Sequence, residues 1–208
     1  MPLSRGAFIV FEGCDKVGKT TQCKKLVNKL LEAGIAAKYM NFPDRSTPTG
    51  KLIDAYLTSQ QELTDKAIHL LFAANRWEQQ PKMVSLLGGG CTLIVDRYSY
   101  SGVAFSAAKP NMDLEWCRAP EQGLPKPDSV FFLSLSPEAA ARREQFGLER
   151  YERPKFQERV RENYEALRDD SWQVIDADKG IEELHQQLFT KTLQVIEKAQ
   201  ILPLGQLW

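Results

Sequence analysis

The sequence predicts an α/β fold in which a five-stranded parallel sheet is flanked by helices on both faces. Two observations carry this reading. Short apolar runs alternate with stretches of helical periodicity, the pattern of a doubly wound sheet. The first apolar run also leads through a glycine-bounded loop directly into an amphipathic helix. At 208 residues and 43% hydrophobic, the chain fits one domain, 1–208, with a sizeable core.

Residues 7–11 are apolar and read as a strand buried on both faces. Cys23, Leu26, Val27, Leu30 and Leu31 then recur at helical spacing, and Gly34 stops that helix. Residues 38–42 form a second strand ended by Pro43. Residues 64 to about 87 form a long helix, interrupted or kinked near Pro81 and closed by three glycines. Further strands are expected at 91–95, 129–135 and 172–176, and helices at about 137–146, 154–169 and 180–199. In such sheets, ligands bind beyond the carboxyl ends of the strands.

Composition narrows the function. Lys+Arg and Asp+Glu number 27 each, so the basic excess of a nucleic-acid coat or membrane-surface protein is missing. Cys14, Cys23, Cys91 and Cys117 form no C-x-x-C pair, which argues against zinc and thioredoxin-like chemistry. No apolar run reaches 18 residues, and no secretory signal precedes the first strand. The expectation is a reduced, soluble, cytoplasmic protein.

Residues 13–20 fit G-x-x-x-x-G-K-[ST]: Gly13, Cys14, Asp15, Lys16, Val17, Gly18, Lys19 and Thr20. Glycines permit a tight loop whose N–H groups point at phosphate oxygens, and the following helix adds its positive dipole end. Lys19 would reach the β- and γ-phosphates of ATP, and the Thr20 hydroxyl would bind Mg²⁺. Asp96 ends the third strand, where such folds place the carboxylate that serves the metal. These features make a P-loop nucleoside triphosphatase or kinase without saying which.

Two arginines go further. Arg45 follows the second strand and Arg97 the third, and both strand ends can open beside the phosphate loop. Each alone reads as a surface ion pair. Together they suit a second anion site for a nucleoside monophosphate. Such an acceptor is already ionised at neutral pH, so catalysis reduces to positioning and charge neutralisation.

At this point the chain resembles the thymidylate kinases, more the eukaryotic than the bacterial ones. The resemblance rests on residues 12–20, on 42–47 (Phe-Pro-Asp-Arg-Ser-Thr) and on 70–78 (Leu-Leu-Phe-Ala-Ala-Asn-Arg-Trp-Glu). It continues through 96–105, 123–128, 149–152 and the closing 203–208, in the same order along nearly the whole chain. It implies transfer of the γ-phosphoryl group of Mg·ATP to dTMP, giving dTDP and ADP for dTTP synthesis, by a homodimer. It also implies roles. Asp15 would contact the sugar 3′-hydroxyl and order the loop, and Arg45 and Arg97 would hold the dTMP phosphate. Phe72 would stack on thymine, and Arg76 would hydrogen-bond the base edge. Phe42, Ser101 and Phe105 would line the pocket, and Tyr151 would close over the sugar.

Residues 137–151 would form a small lid over the phosphates, carrying Arg142, Arg143 and Arg150. The family places its catalytic cation in the loop or in the lid. Here Lys16 holds the loop position where eukaryotic-like members usually carry arginine, a departure that leaves Arg143 or Arg153 as alternatives. Two rivals differ in chemistry. A deoxynucleoside kinase would need a carboxylate base for a neutral hydroxyl acceptor. A GTP-binding switch would commonly carry N-K-x-D, which this sequence lacks.

Overall fold

The computed structural model describes residues 5–15, 17–135, 151 and 154–208. Lys16, Arg142, Arg143, Arg150, Arg153 and the expected helix at 137–146 lie outside the described residues. Five strands form one parallel sheet: β1 (Phe8–Glu12), β2 (Ala37–Asn41), β3 (Thr92–Asp96), β4 (Ser129–Ser134) and β5 (Trp172–Asp176). Their order is β2-β3-β1-β4-β5. The helices described are α1 (Lys19–Glu32), α2 (Pro48–Leu57), α3 (Asp65–Gly88), α4 (Ser99–Ala107), α5 (Leu114–Arg118), α6 (Pro154–Leu167) and α7 (Ile181–Ala199). A 3₁₀ turn, Ala119–Glu121, follows α5.

Alternation along the central strands sorts the core into two layers. Ile9 and Phe11 of β1 point to one face, where they meet Cys23, Leu26 and Leu30 of α1 and Leu184 and Leu188 of α7. Phe8 and Val10 point to the other, against Met83 and Leu87 of α3, Tyr100 and Val103 of α4 and Tyr164 of α6. β1 and β3 are buried at every residue. Along the edge strand β2 only Met40 is buried. Central parallel strands have no solvent face, which is why their sequences are continuous apolar runs.

The five strands fall within a residue of the sequence reading, and Trp172–Asp176 coincides with it. Three expectations need correction. α3 runs unbroken from Asp65 to Gly88 with Pro81 inside it, so Pro81 does not interrupt the helix. Leu31, placed on the apolar face of α1, is about half exposed. The helices α2, α4 and α5 were not expected. The cue for α2 was available: Thr47 accepts from the Gly50 N–H at 3.0 Å, with Pro48 at the first helical position. No comparable cue marks α4, which is buried along most of its length and so has no polar face to set a period.

Two motifs far apart in sequence are joined by backbone. Residues 203–208 return to 123–126, where Leu207 N–H donates to Leu124 O at 2.8 Å and Lys126 N–H to Gly205 O at 2.9 Å. Among the described residues, no helix is long and apolar enough to cross a membrane.

Candidate active site

Register places the chemistry. Phe11 of β1 and Asn41 of β2 both lie opposite Asp96 of β3, so three strands end side by side. The backbone continues the pairing beyond the ends: Arg97 N–H donates to Phe11 O at 2.9 Å, and Phe42 N–H to Asp96 O at 3.0 Å. The segments that follow these strands, 13–15 with 17–18, 42–47 and 97–98, therefore share one edge, as expected of the ligand edge of a parallel sheet.

The phosphate loop has the backbone its sequence requires. Gly13 has φ 138°, and a Cβ there would lie 2.4 Å from Leu133 O, so a side chain is excluded twice over. Gly18, at φ 93°, precedes α1 without a capping side chain, and the first turn of α1 holds no acidic residue. The helix N-terminus thus keeps its donors and its positive end for an anion. Val17 is buried beneath the loop, and Cys14 packs against the same apolar layer.

Lys19 is buried, and its Nζ donates to Gly13 O at 3.1 Å and Cys14 O at 2.7 Å. Burial, reinforced by the neighbouring Arg97, lowers its pKa to about 8 against the opposing pull of Asp96, Asp15 and Glu12. Thr20 Oγ1 donates to Asp96 Oδ2 at 2.5 Å, and the Tyr39 hydroxyl approaches the same oxygen at 3.5 Å. A hydroxyl and a carboxylate at the loop edge form an oxygen donor pair of the kind hard cations take.

Arg97 is held from several directions. Its φ of 65° lies in the left-handed region, unusual for a side chain of this size and typical of functional positions. Its guanidinium pairs with Asp15, donates to Ser101 Oγ at 3.0 Å and Gly13 O at 3.3 Å, and lies 5.1 Å over the Phe105 ring. Burial works against its charge, yet Asp15, Asp96 and Glu12 hold its pKa above the usual arginine value. Behind it, the fully buried Glu12 accepts from Ser101 Oγ at 2.5 Å and Tyr164 OH at 3.0 Å. Asp15 is held from its other side by Gln157 Nε2 at 2.8 Å, which also donates to Tyr151 O at 2.9 Å.

Lys19, Thr20, Asp96, Arg97 and Asp15 border one cavity of about 660 Å³. Of the residues singled out from sequence, Asp15, Gly18, Lys19, Thr20, Phe42, Arg45, Phe72, Arg76, Asp96, Arg97, Ser101, Phe105 and Tyr151 line it. Gly13, Cys14 and Val17 build the loop without lining the cavity, and Lys16 and Arg143 lie outside the described residues. Arg45 Nη1 pairs with Asp54 at 2.7 Å, each side chain about 40% exposed, so the surface ion pair and the cavity wall coincide. Phe72 packs with Ile53, Tyr56 and Ile68 and turns one side to the cavity. Arg76 is buried in a two-bond pair with the fully buried Glu121. Tyr151 stacks on Phe156 at 5.1 Å.

Sequence reading overlooked the residues that hold these groups. Asn75 accepts from Asp44 N–H at 2.7 Å and donates to Asp44 O and Thr47 Oγ1, fixing the loop that presents Arg45. Its position between Phe72 and Glu78 on the helix face was the only cue. Glu12, Glu121 and Gln157 act across 22 to 152 residues of chain, and no local pattern could have shown those contacts, although Glu12 adjoins the phosphate loop.

The comparisons agree with this geometry. The thymidylate kinase family model matches residues 11–188. Thymidylate kinases of Danio rerio and Homo sapiens are 50% and 48% identical to the chain, each alignment covering 100% of both sequences. A solved structure of thymidylate kinase from Candida albicans superposes with a TM-score of 0.88 at 36% identity, covering 98% of this chain and 99% of that one. A strand-end cavity bordered by a phosphate loop and by Arg45 and Arg97, on a chain similar to these relatives along its whole length, places the protein in the thymidylate kinase family.

Proposed function

We propose that the chain transfers the γ-phosphoryl group of ATP to dTMP, giving dTDP and ADP on the route to dTTP. The observation that carries this is that two cations, Lys19 and Arg97, border the same cavity and both donate to Gly13 O of the phosphate loop. One cation serves the donor phosphates and the other the acceptor phosphate, so both can be brought together in line. The dTMP phosphate lies between Arg45 and Arg97, thymine lies against Phe72 with Arg76 at its edge, and Tyr151 closes over the sugar. The acceptor oxygen is ionised at neutral pH, so no base is needed, and the rate comes from positioning and charge neutralisation. Asp15 orients Arg97 and accepts from the 3′-hydroxyl.

Thr20 and Asp96 would hold Mg²⁺, which supplies charge to the nucleotide phosphates when bound. Residues 137–151 serve as the lid of a single kinase domain, and Lys16 or a lid arginine supplies the further cation. A cytoplasmic location accords with Cys14, Cys23, Cys91 and Cys117, all free thiols. The assembly is a homodimer across α3. Leu70, Trp77 and Val84 recur every seven residues on its outer face, each 39–48% exposed, with Leu52 of α2 similarly exposed. Leu70→Glu should convert a dimer to a monomer in light scattering.

The decisive experiment is a coupled ADP-release assay over a panel of nucleoside monophosphates and thymidine. dTMP should be the best acceptor and thymidine inert. Turnover of thymidine with none of dTMP would overturn the reading.

A further inference from the structure

The pair formed by Arg76 and Glu121 is the most deeply buried ion pair among the described residues, with side chains 2% and 0% exposed. Three elements converge to make it. Arg76 comes from α3, Glu121 from the 3₁₀ turn, and Ser99 and Gly102 from the first turn of α4. Arg76 Nε donates to Glu121 Oε2 at 2.8 Å, and its Nη2 donates to Oε1. Ser99 Oγ donates to Oε2 at 2.8 Å, so both carboxylate oxygens are engaged and the carboxylate cannot swing. The turn itself is tied to α3 next door, where Trp77 Nε1 donates to Pro120 O at 2.7 Å.

Gly102 closes the arrangement from the opposite side. A Cβ built there would lie 2.4 Å from Arg76 Nη2, 2.9 Å from Cζ and 3.0 Å from Nη1. All three guanidinium atoms fall within 3.0 Å of that Cβ, so the head of Arg76 abuts Gly102 with no room for a side chain. A free arginine tip would move aside for a methyl group, but this one is forked onto Glu121. With Nε and Nη2 engaged, Nη1 is the nitrogen that makes no hydrogen bond among the described residues, and Arg76 lines the acceptor cavity. The fork offsets the charge of the arginine while leaving the two N–H groups of Nη1 as donors. A neutral base edge with an acceptor oxygen suits that environment, and a second phosphate does not.

We infer that Glu121, with Gly102 as its backstop, is the specificity-determining positioning residue of the base pocket, holding the Arg76 donor in one orientation. Immobility is what converts a donor into a discriminator. A mobile guanidinium would turn away from an amino group and tolerate it. A fixed one forces donor against donor and rejects any base that carries an amino group where thymine carries an oxygen. This inference rests on the reading of Arg76 as the base-edge donor, and its test separates the two.

Glu121→Asp keeps the charge and withdraws the carboxylate by one methylene. Gly102→Ala displaces the guanidinium directly, and alanine suits a helix at least as well as glycine. For each variant, kcat and KM are measured with dTMP and dCMP, together with ADP affinity by calorimetry and a melting curve. In both, the dTMP-to-dCMP ratio of kcat/KM should narrow by about tenfold, mainly through KM for dTMP, with ADP affinity within about twofold of the parent. A ratio within about twofold of the parent in folded variants overturns the inference. If Glu121→Asp does not fold, Gly102→Ala and Ser99→Ala decide by the same criterion. The paired change Arg76→Met with Glu121→Met removes both charges together. If it leaves the ratio unchanged, Arg76 does not read the base, and the pocket assignment fails. If it narrows the ratio while Glu121→Asp and Gly102→Ala do not, Arg76 reads the base without needing to be held.

Discussion

The two ends of the cavity are built by different means. At the donor end, residues 13–20 are contiguous, and their function depends on backbone: Gly13 cannot bear a side chain, Gly18 leaves α1 uncapped, and Lys19 folds onto carbonyls of its own loop. At the acceptor end, the cooperating groups are side chains, most of them brought together from different elements. Arg97 is placed by Asp15 and Ser101, Arg76 by Glu121 and Gly102, and the Arg45 loop by Asn75. A backbone cradle recognises what every nucleoside triphosphate shares. Side chains gathered from several elements recognise what one acceptor has and others lack. Substitutions at the two ends should therefore fail differently.

Lys19→Ala is the most severe break. It removes a buried cation whose charge offsets the transferring phosphoryl group, and kcat should fall by about 10²–10³-fold for every acceptor while the fold persists. Near-normal turnover of a folded variant would remove the donor end from the comparison altogether. Arg97→Ala comes next. It should lower kcat/KM for dTMP by roughly 100-fold and leave ADP binding, measured by calorimetry, close to the parent. It also removes the ion-pair partner of Asp15 and leaves it, among the described residues, only the Gln157 contact, so equal loss of ADP and dTMP affinity would mean that the two ends are one coupled structure.

The same contrast decides what could be read from sequence. The phosphate loop and Asp96 were legible because a local pattern sits between a buried strand and an amphipathic helix, and the chemistry follows from backbone geometry that short patterns encode. The five strands were legible because central parallel strands are buried on both faces and stay apolar throughout. α4 was not, because a helix buried along most of its length has no polar stripe to betray a period of 3.6. Arg45 and Arg97 were found because they follow strand ends; Phe72 and Arg76 were placed through family resemblance, since a buried Phe four residues from an Arg looks like core. Glu121 and Gln157 were invisible, and Glu12 showed only as the first residue of the loop motif without a role, since each acts through a contact that exists only once the chain has folded.

Acceptor choice tests the side-chain end by itself. dTMP should lead, with dUMP several-fold behind, because one buried methyl is worth about 1 kcal/mol. dCMP should fall about 10²-fold behind or further. It lacks that methyl and also sets an amino group against a donor-only arginine, leaving a buried polar group unpaired at roughly 1–3 kcal/mol. Relative kcat/KM values from competition assays would check the order. Equal use of dCMP and dTMP would make the pocket a general pyrimidine site.

The smallest effect, and the finest test of the donor end, is pH. Lys19 has its pKa lowered to about 8, chiefly by burial and next by Arg97. A lowered pKa in a base means that the proton leaves earlier than usual, while phosphate binding requires the charged form. ADP affinity should therefore be full below about pH 7 and decline as pH rises through 8, by about tenfold between pH 7 and 9. Binding at pH 8.5 should also take up part of a proton, visible as a calorimetric enthalpy that varies with the ionisation enthalpy of the buffer. The ligand-free protein should behave in the opposite sense. Between pH 8 and the ordinary lysine value of 10.5, the unfolded chain holds the proton that the folded one has released, so Lys19 makes stability rise with pH over that window. Affinity falling while stability rises is a signature that a generally weakening fold cannot produce. Lys19→Ala should abolish both trends, and a Kd flat from pH 7 to 9 in the parent would show that Lys19 keeps its charge despite its burial.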